Sequence, residues 1–230
     1  MTEKNKNYWQ SYFDKKAKEE DNIYKRVGFV SEKNTELVRN TVRSYVGKPV
    51  GKKIMDAGCG DGMVLSHLAQ DNEIDGYDFS KNMLKLAAEQ GLNPIYSDLT
   101  NPDLPFENYD IAISVEAVTL LPDPIQTLIK IAQSVKPNGV AVFSVLNKFS
   151  IIRGIASLIY KYALKKTLPQ KVSYFELKAC MAKEGFSLES ATFVYWLPGI
   201  YLNSSASRFT TLKLLFANNI IFKFRKNENQ

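Results

Sequence analysis

Three glycines, Gly58, Gly60 and Gly62, alternate with other residues directly after an apolar run that carries a single acid, Asp56. Glycine has no Cβ, so such a loop lets the backbone take positive φ and approach a ligand that side chains would hold away. Asp78 lies 20 positions after Gly58. That is the interval at which a carboxylate ending the next strand can accept both ribose hydroxyl protons of a nucleoside held on the first loop. Asp98 closes a third short apolar run and Glu116 follows a fourth. Acids at successive strand ends around one glycine loop offer acceptors for a nucleoside and a candidate group for moving a proton.

Other chemistries find less support. Cys59 and Cys180 form no C-x-x-C and stand near no His/Cys cluster, so neither a disulfide framework nor a zinc site is expected. Cys59 reads as a small residue fitted between two glycines. His67, the only histidine, falls in an amphipathic helix predicted from Met63 to Ala69 and reads as a surface or packing residue. The loop runs G-x-G-x-G and then Met63, whereas a dinucleotide fingerprint is G-x-G-x-x-G. A dehydrogenase is disfavoured on that spacing.

The elements that must position these residues alternate between strand and helix. Strands are predicted at the run ending in Ala57, from Glu73 to Asp78, Asn93 to Ser97, Asn108 to Ser114, Val140 to Leu146, Phe186 to Trp196 and Ile220 to Arg225. Helices are predicted from Lys81 to Glu89 with Ser80 as N-cap, from Asp123 to Gln133, from Tyr174 to Gly185, and from Ser204 to Ala217. Residues 1–50 read as helices. Their Tyr8, Tyr12 and Phe13 fall on one helical face, which serves equally as a lid over a site or as a staple onto the core.

The stretch Asp56 to Gly62 resembles motif I of the class I (Rossmann-like) S-adenosylmethionine-dependent methyltransferases. Tyr109-Asp110 resembles the family's F-D-x-x strand opening, and Leu-like Val135-Lys136-Pro137-Asn138-Gly139 its L-K-P-G-G turn. The resemblance covers roughly residues 50–147 by motif. It implies a doubly wound α/β fold with a seven-stranded, mostly parallel sheet, helices on both faces and the last strand antiparallel. A helical N-terminal cap over residues 1–50, a cofactor-binding core over 51–147, a lid over 148–172 and sheet completion over 173–230 would make one domain.

The same resemblance implies S-adenosylmethionine as cofactor, with S-adenosylhomocysteine as product. Asp56, Gly58, Cys59, Gly60, Asp78, Phe79, Asp98, Leu99 and Val115 are then the cofactor-binding set, with Phe79 against the adenine, Asp98 on its amino group and the following backbone N–H on a ring nitrogen. Many relatives carry E-x-x-E-H after the fourth strand, some of them for metal. This chain keeps Glu116 but has Thr119 and Leu120 at the later positions, so no metal is expected and a histidine base is missing. Glu116, Tyr8 and Tyr12 are the catalytic candidates, and Tyr174 a further acceptor-lining one.

From Lys148 to Lys171 an apolar stripe is surrounded by lysines and one arginine with no acid. This basic amphipathic segment reads as a substrate lid, as a peripheral contact with an anionic membrane, or as an ordinary helix with a solvated face. Across 230 residues, 45% hydrophobic with a net charge of +6, no run reaches the roughly 20 apolar residues that span a bilayer, and a cytoplasmic enzyme is expected. The leading expectation is methyl transfer to a small organic acceptor, most plausibly at oxygen. Methylation of RNA or another macromolecule is an alternative that the charge would suit. It is weakened because Ser114-Val115-Glu116-Ala117 stands where base-modifying enzymes carry an N/D-P-P-Y motif. A non-catalytic S-adenosylmethionine-binding subunit is the third reading.

Overall fold

A computed structural model of the protein describes residues 3–20, 22, 32–152, 154, 169–197, 200–205 and 210–228. Eight strands form one sheet: β1 (Lys53–Ala57), β2 (Glu73–Asp78), β3 (Asn93–Tyr96), β4 (Tyr109–Val115), β5 (Val135–Leu146), β6 (Phe186–Leu197), β7 (Ile200–Ser205) and β8 (Asn219–Lys226). Their order is β3-β2-β1-β4-β5-β8-β6-β7. β1 to β5 are mutually parallel, and β8 runs antiparallel to both β5 and β6. The seven expected strands are present, with the last in the chain antiparallel. β7 adds an eighth, paired to β6 as an edge hairpin.

The helices given bounds among the described residues are α1 (Glu3–Glu19), α2 (Glu32–Val46), α3 (Lys81–Glu89), α4 (Pro124–Gln133), α5 (Tyr174–Lys183) and α6 (Thr210–Phe216). Successive strand side chains face opposite sides, and both sides are covered. Ile54, Ile113 and Val142 share a core with Val38 and Val42 of α2 and Leu84 and Ala87 of α3. Met55, Ala112 and Phe143 share the other with Leu128 and Ile131 of α4 and Leu177 and Met181 of α5. Phe222 and Phe224 stack at 5.5 Å within that second core; burying each such ring contributes about 1.5–3 kcal/mol. Helix starts are fixed by their own sequence: Ser80 accepts from the Met83 N–H, Asp123 from Gln126 ahead of Pro124, and Ser173 from Glu176.

Two predicted helices differ. The segment from Met63 to Ala69 forms turns and one short 3-10 helix, Ser66–Leu68, rather than an α-helix. The cause lies in α2: the Arg43 guanidinium takes the Met63 and Val64 carbonyls at 2.7 and 3.0 Å, which are acceptors an α-helix would use for its own ladder. His67 is exposed on this short element. The helix expected from Ser204 begins only at Thr210, because Ser204 and Ser205 complete the β6–β7 hairpin opposite Phe193 and Thr192. Of the basic segment 148–171, residues 153 and 155–168 lie outside the described residues.

The strand order reverses at β1, which has β2 on one side and β4 on the other. The crevice outside the carboxyl ends of β1 and β4, at this switch point, is the usual ligand site of such sheets.

Candidate functional site

The crevice floor is the glycine loop. Gly58, Gly60 and Gly62 all hold positive φ, at 80°, 54° and 78°. The Gly58 and Cys59 N–H groups both donate to the Tyr77 carbonyl, at 2.7 and 3.0 Å, hooking the loop to β2. A Cβ on Gly58 would lie 2.1 Å from the Ala117 Cβ, so the loops after β1 and β4 meet here with no room for a side chain.

Asp78, buried at the end of β2, accepts the Gly60 N–H at 3.0 Å and the Ser80 N–H at 2.8 Å, one on each oxygen. Burial pushes its carboxyl up to about 6 against the opposing pull of those hydrogen bonds. Asp56 is fully enclosed beneath the loop, and its Oδ2 has no hydrogen-bond partner among the described residues. Burial first, and then the neighbouring charges of Asp78 and Asp61, push Asp56 up to about 8. Burial and the same acids push the Cys59 thiol well up, which leaves it a poor nucleophile. Three buried acids around a glycine cradle fit a ligand that brings hydroxyl donors and positive charge, as a sulfonium nucleoside does.

Around this floor the predicted residues fall into two groups. On the β2 side, Phe79 is half-buried, and Asp98 forms a turn in which its Oδ1 accepts the Thr100 N–H at 3.0 Å and the Thr100 hydroxyl at 2.8 Å. Leu99 is buried, its Cδ1 3.7 Å from the position a Gly58 Cβ would take. Helix α1 covers this side. Gln10 donates to the Phe79 carbonyl at 3.0 Å, Asp14 accepts the Ser80 hydroxyl at 2.6 Å, and the Phe13 ring meets Phe79 edge-on at 6.2 Å. Tyr12 packs on Phe13 at 5.2 Å, and Tyr8, 55% exposed, stands at the outer end of the aromatic row.

On the β4 side, Val115 ends the strand and Glu116 follows in a left-handed conformation, φ 59°. A non-glycine residue held there carries backbone strain of about 1 kcal/mol or more, a feature that gathers at functional sites. The Glu116 N–H is fixed to the Ser144 carbonyl at 2.9 Å, and its carboxylate accepts the side-chain N–H of Asn219. Thr119 turns its hydroxyl back onto the Glu116 carbonyl at 2.6 Å. No described contact joins Tyr8 or Tyr12 to Glu116; the structure places the tyrosines with the β2 side. Tyr174 is withdrawn from the site. It is buried in the core and stacks on Phe222 at 5.5 Å.

Sequence reasoning did not find the buried Asn147 and Asn219. Asn147 donates to the Leu214 and Ala217 carbonyls at 2.6 and 2.8 Å, tying α6 to the end of β5. Both ends of the segment after β5 are anchored at this rim. The Val172 N–H reaches the Leu146 carbonyl at 2.8 Å, the Lys148 N–H reaches Val172 at 3.0 Å, and the Gln170 N–H meets the Thr119 carbonyl.

A family model described as a methyltransferase domain matches residues 29–191, well over half of the chain. The chain belongs to the methyltransferase-domain family. Among curated relatives, the methyltransferase is 34% identical over 117 residues to the ubiquinone biosynthesis O-methyltransferase of Photobacterium profundum, covering 47% of this chain and 50% of that protein. The chain spans about half the length of the curated relatives it matches. Its fold superposes with a TM-score of 0.66 on magnesium protoporphyrin IX methyltransferase from Synechocystis, solved with bound S-adenosylhomocysteine, at 17% identity over 97% of this chain and 100% of that one. A S-adenosylmethionine-dependent methyltransferase from Thermotoga maritima gives 0.64 at 17% identity, over 84% and 93%. The architecture is thus that of solved S-adenosylmethionine-dependent methyltransferases.

Proposed function

We propose that the methyltransferase transfers the donor's methyl group to a hydroxyl of a small organic acceptor. The observation that carries this reading is the opposition, across the Gly58–Ala117 contact, of a buried acidic cradle and a single strained carboxylate, Glu116. Curated relatives named for O-methylation favour oxygen as the methylated atom. The described residues act as one domain: a cap from α1 and α2, the donor core over 51–147 and sheet completion after Ser173, while most of the lid expected over 148–172 lies outside the described residues.

In this reading Gly58, Cys59 and Gly60 present main chain to the donor, Asp78 accepts its ribose hydroxyls, and Asp56 lies beneath the loop. Phe79 and Leu99 flank the adenine, Asp98 accepts from its amino group and Val115 closes the pocket beside Glu116. When bound, the donor supplies an electrophilic methyl on a sulfonium. Little further activation is needed, so the chain's work is to align the acceptor and exclude water. Glu116 orients the acceptor hydroxyl and receives its proton; Tyr8 and Tyr12 stand with α1 on the donor side and carry no step of the transfer.

The acceptor is a small molecule, and a peripheral membrane contact fits an apolar one. Phe149, Ile151 and Phe175 are 41%, 48% and 52% exposed, beside Lys148 and the basic segment that follows. No helix among the described residues is long and apolar enough to cross a membrane. Incubation with labelled S-adenosylmethionine against pools of phenols, quinols, hydroxy acids, amines, lipids and RNA tests the proposal. Label entering a small hydroxylated acceptor is expected; label entering RNA, or no transfer to any pool, overturns it.

A further inference from the structure

We propose that Asp14 is a positioning residue for the donor site, gripping the turn behind Asp78 so that the seating of α1 and the binding of donor become one event. The inference rests on the reading that the Gly58–Asp78 crevice takes S-adenosylmethionine.

Helix α3 starts with a divided cap. Its Met83 N–H is met by Ser80, the residue expected to cap it, at 3.2 Å. The Asn82 N–H is met instead from another helix, by the Asp14 carboxylate at 3.2 Å. The same Asp14 oxygen accepts the Ser80 hydroxyl at 2.6 Å, and the Asp14 carbonyl accepts the Asn82 amide at 3.2 Å. Ser80 in turn donates its N–H to Asp78, whose other oxygen holds Gly60. One continuous chain of hydrogen bonds therefore runs from α1 to the glycine loop: Asp14, Ser80, Asp78, Gly60.

The neighbouring contacts converge on the same turn. Gln10 donates to the Phe79 carbonyl at 3.0 Å, and Phe13 packs on the Phe79 ring. Three side chains within little more than one turn of α1, Gln10, Phe13 and Asp14, thus reach residues 79–82, the turn that sets where Asp78 and Phe79 stand. A carboxylate brought beside buried Asp78 is unfavourable in itself, since like charges repel. The hydrogen bond from the Asn82 N–H and the positive end of α3 offset that repulsion. Removing the Asp14 carboxylate leaves the hydrophobic cores untouched, since Asp14 belongs to neither, but unties the turn from its cover.

The test uses S-adenosylhomocysteine as the probe with the full chain. In the wild type, calorimetric binding is expected together with added hydrogen-exchange protection over residues 8–19. For Asp14→Ala, Kd is expected to rise about tenfold or more, the size of one lost charge-assisted hydrogen bond. The protection gained over residues 8–19 is lost, while the melting temperature without ligand stays within a few degrees of wild type. Asp14→Asn keeps an acceptor oxygen and is expected to remain within about threefold of wild type. Wild-type affinity in Asp14→Ala, or α1 protection that ligand still induces in it, would overturn the role of Asp14 while leaving the donor site intact. A wild-type chain that does not bind the probe would remove the donor-site reading itself, and this inference with it.

Discussion

The two sides of the crevice are built differently. Every fixed point of the donor side lies between β1 and the loop after β3, apart from the cover that α1 adds. Gly60, Asp78 and Ser80 bond one another over short sequence distances, and Asp98 bonds Thr100. The acceptor side is assembled from remote segments. Glu116 is held by Asn219, 103 positions away, Asn147 by residues 67 and 70 positions on, and Thr119 meets Gln170. Local turn geometry makes the first side a fixed receptacle. The second side depends on how the end of the chain and the segment after β5 return to the sheet.

The difference can be pressed hardest at the point where the two sides touch. Gly58→Val would drive a side chain into Ala117 at a position of positive φ; loss of measurable S-adenosylhomocysteine binding and a stability decrease of about 2–5 kcal/mol are expected, read by calorimetry and thermal unfolding. Glu116→Gln should separate the sides. Turnover on the identified acceptor is expected to fall about 100-fold, with donor affinity within about twofold of wild type. Asn219→Leu should reproduce part of that fall through Glu116. Retained turnover in Glu116→Gln would make this carboxylate structural.

A smaller effect belongs to the donor side alone. Burial raises both Asp78 and Asp56, to about 6 and about 8, above the ordinary carboxylate value of about 4. The folded chain therefore binds more protons than the unfolded one in this interval. The stabilisation is complete below about pH 4 and is lost as pH rises through 6 and 8. The ligand-free methyltransferase is expected to lose stability steadily between pH 5 and 8 from these groups, and Asp56→Asn should flatten the slope. Melting curves across that range check it; an unchanged slope in the variant would mean Asp56 is solvated or paired.

What could be read from sequence follows the same division. The glycine spacing, the acid ending β2 and the cap at Ser80 are signals within a few residues of one another, and the structure places them as a unit. The helix expected after Gly62 failed because its competitor, Arg43, lies in a different element and takes the Met63 and Val64 carbonyls. Strand β7 was missed although Pro198-Gly199 marks a turn between two runs; the pairing of Tyr195 with Leu202 is visible only once the strands are side by side. Asn218-Asn219 before an apolar strand looks like an ordinary loop end. Nothing local signals that Asn219 is buried and bonded to Glu116, because that contact exists only through the antiparallel return of β8 beside β5. Tyr174 read as a pocket residue for the converse reason: its aromatic partners come from β6 and β8.

The central claim is that the Gly58–Asp78 crevice holds the methyl donor. Calorimetric titration of the wild type and of Asp78→Ala with S-adenosylmethionine tests it most directly. The account predicts micromolar binding to the wild type, weakened about 10- to 100-fold in the variant, as one or two hydrogen bonds to a charged acceptor are lost. Equal affinity in both proteins, or no binding to the wild type, would contradict it.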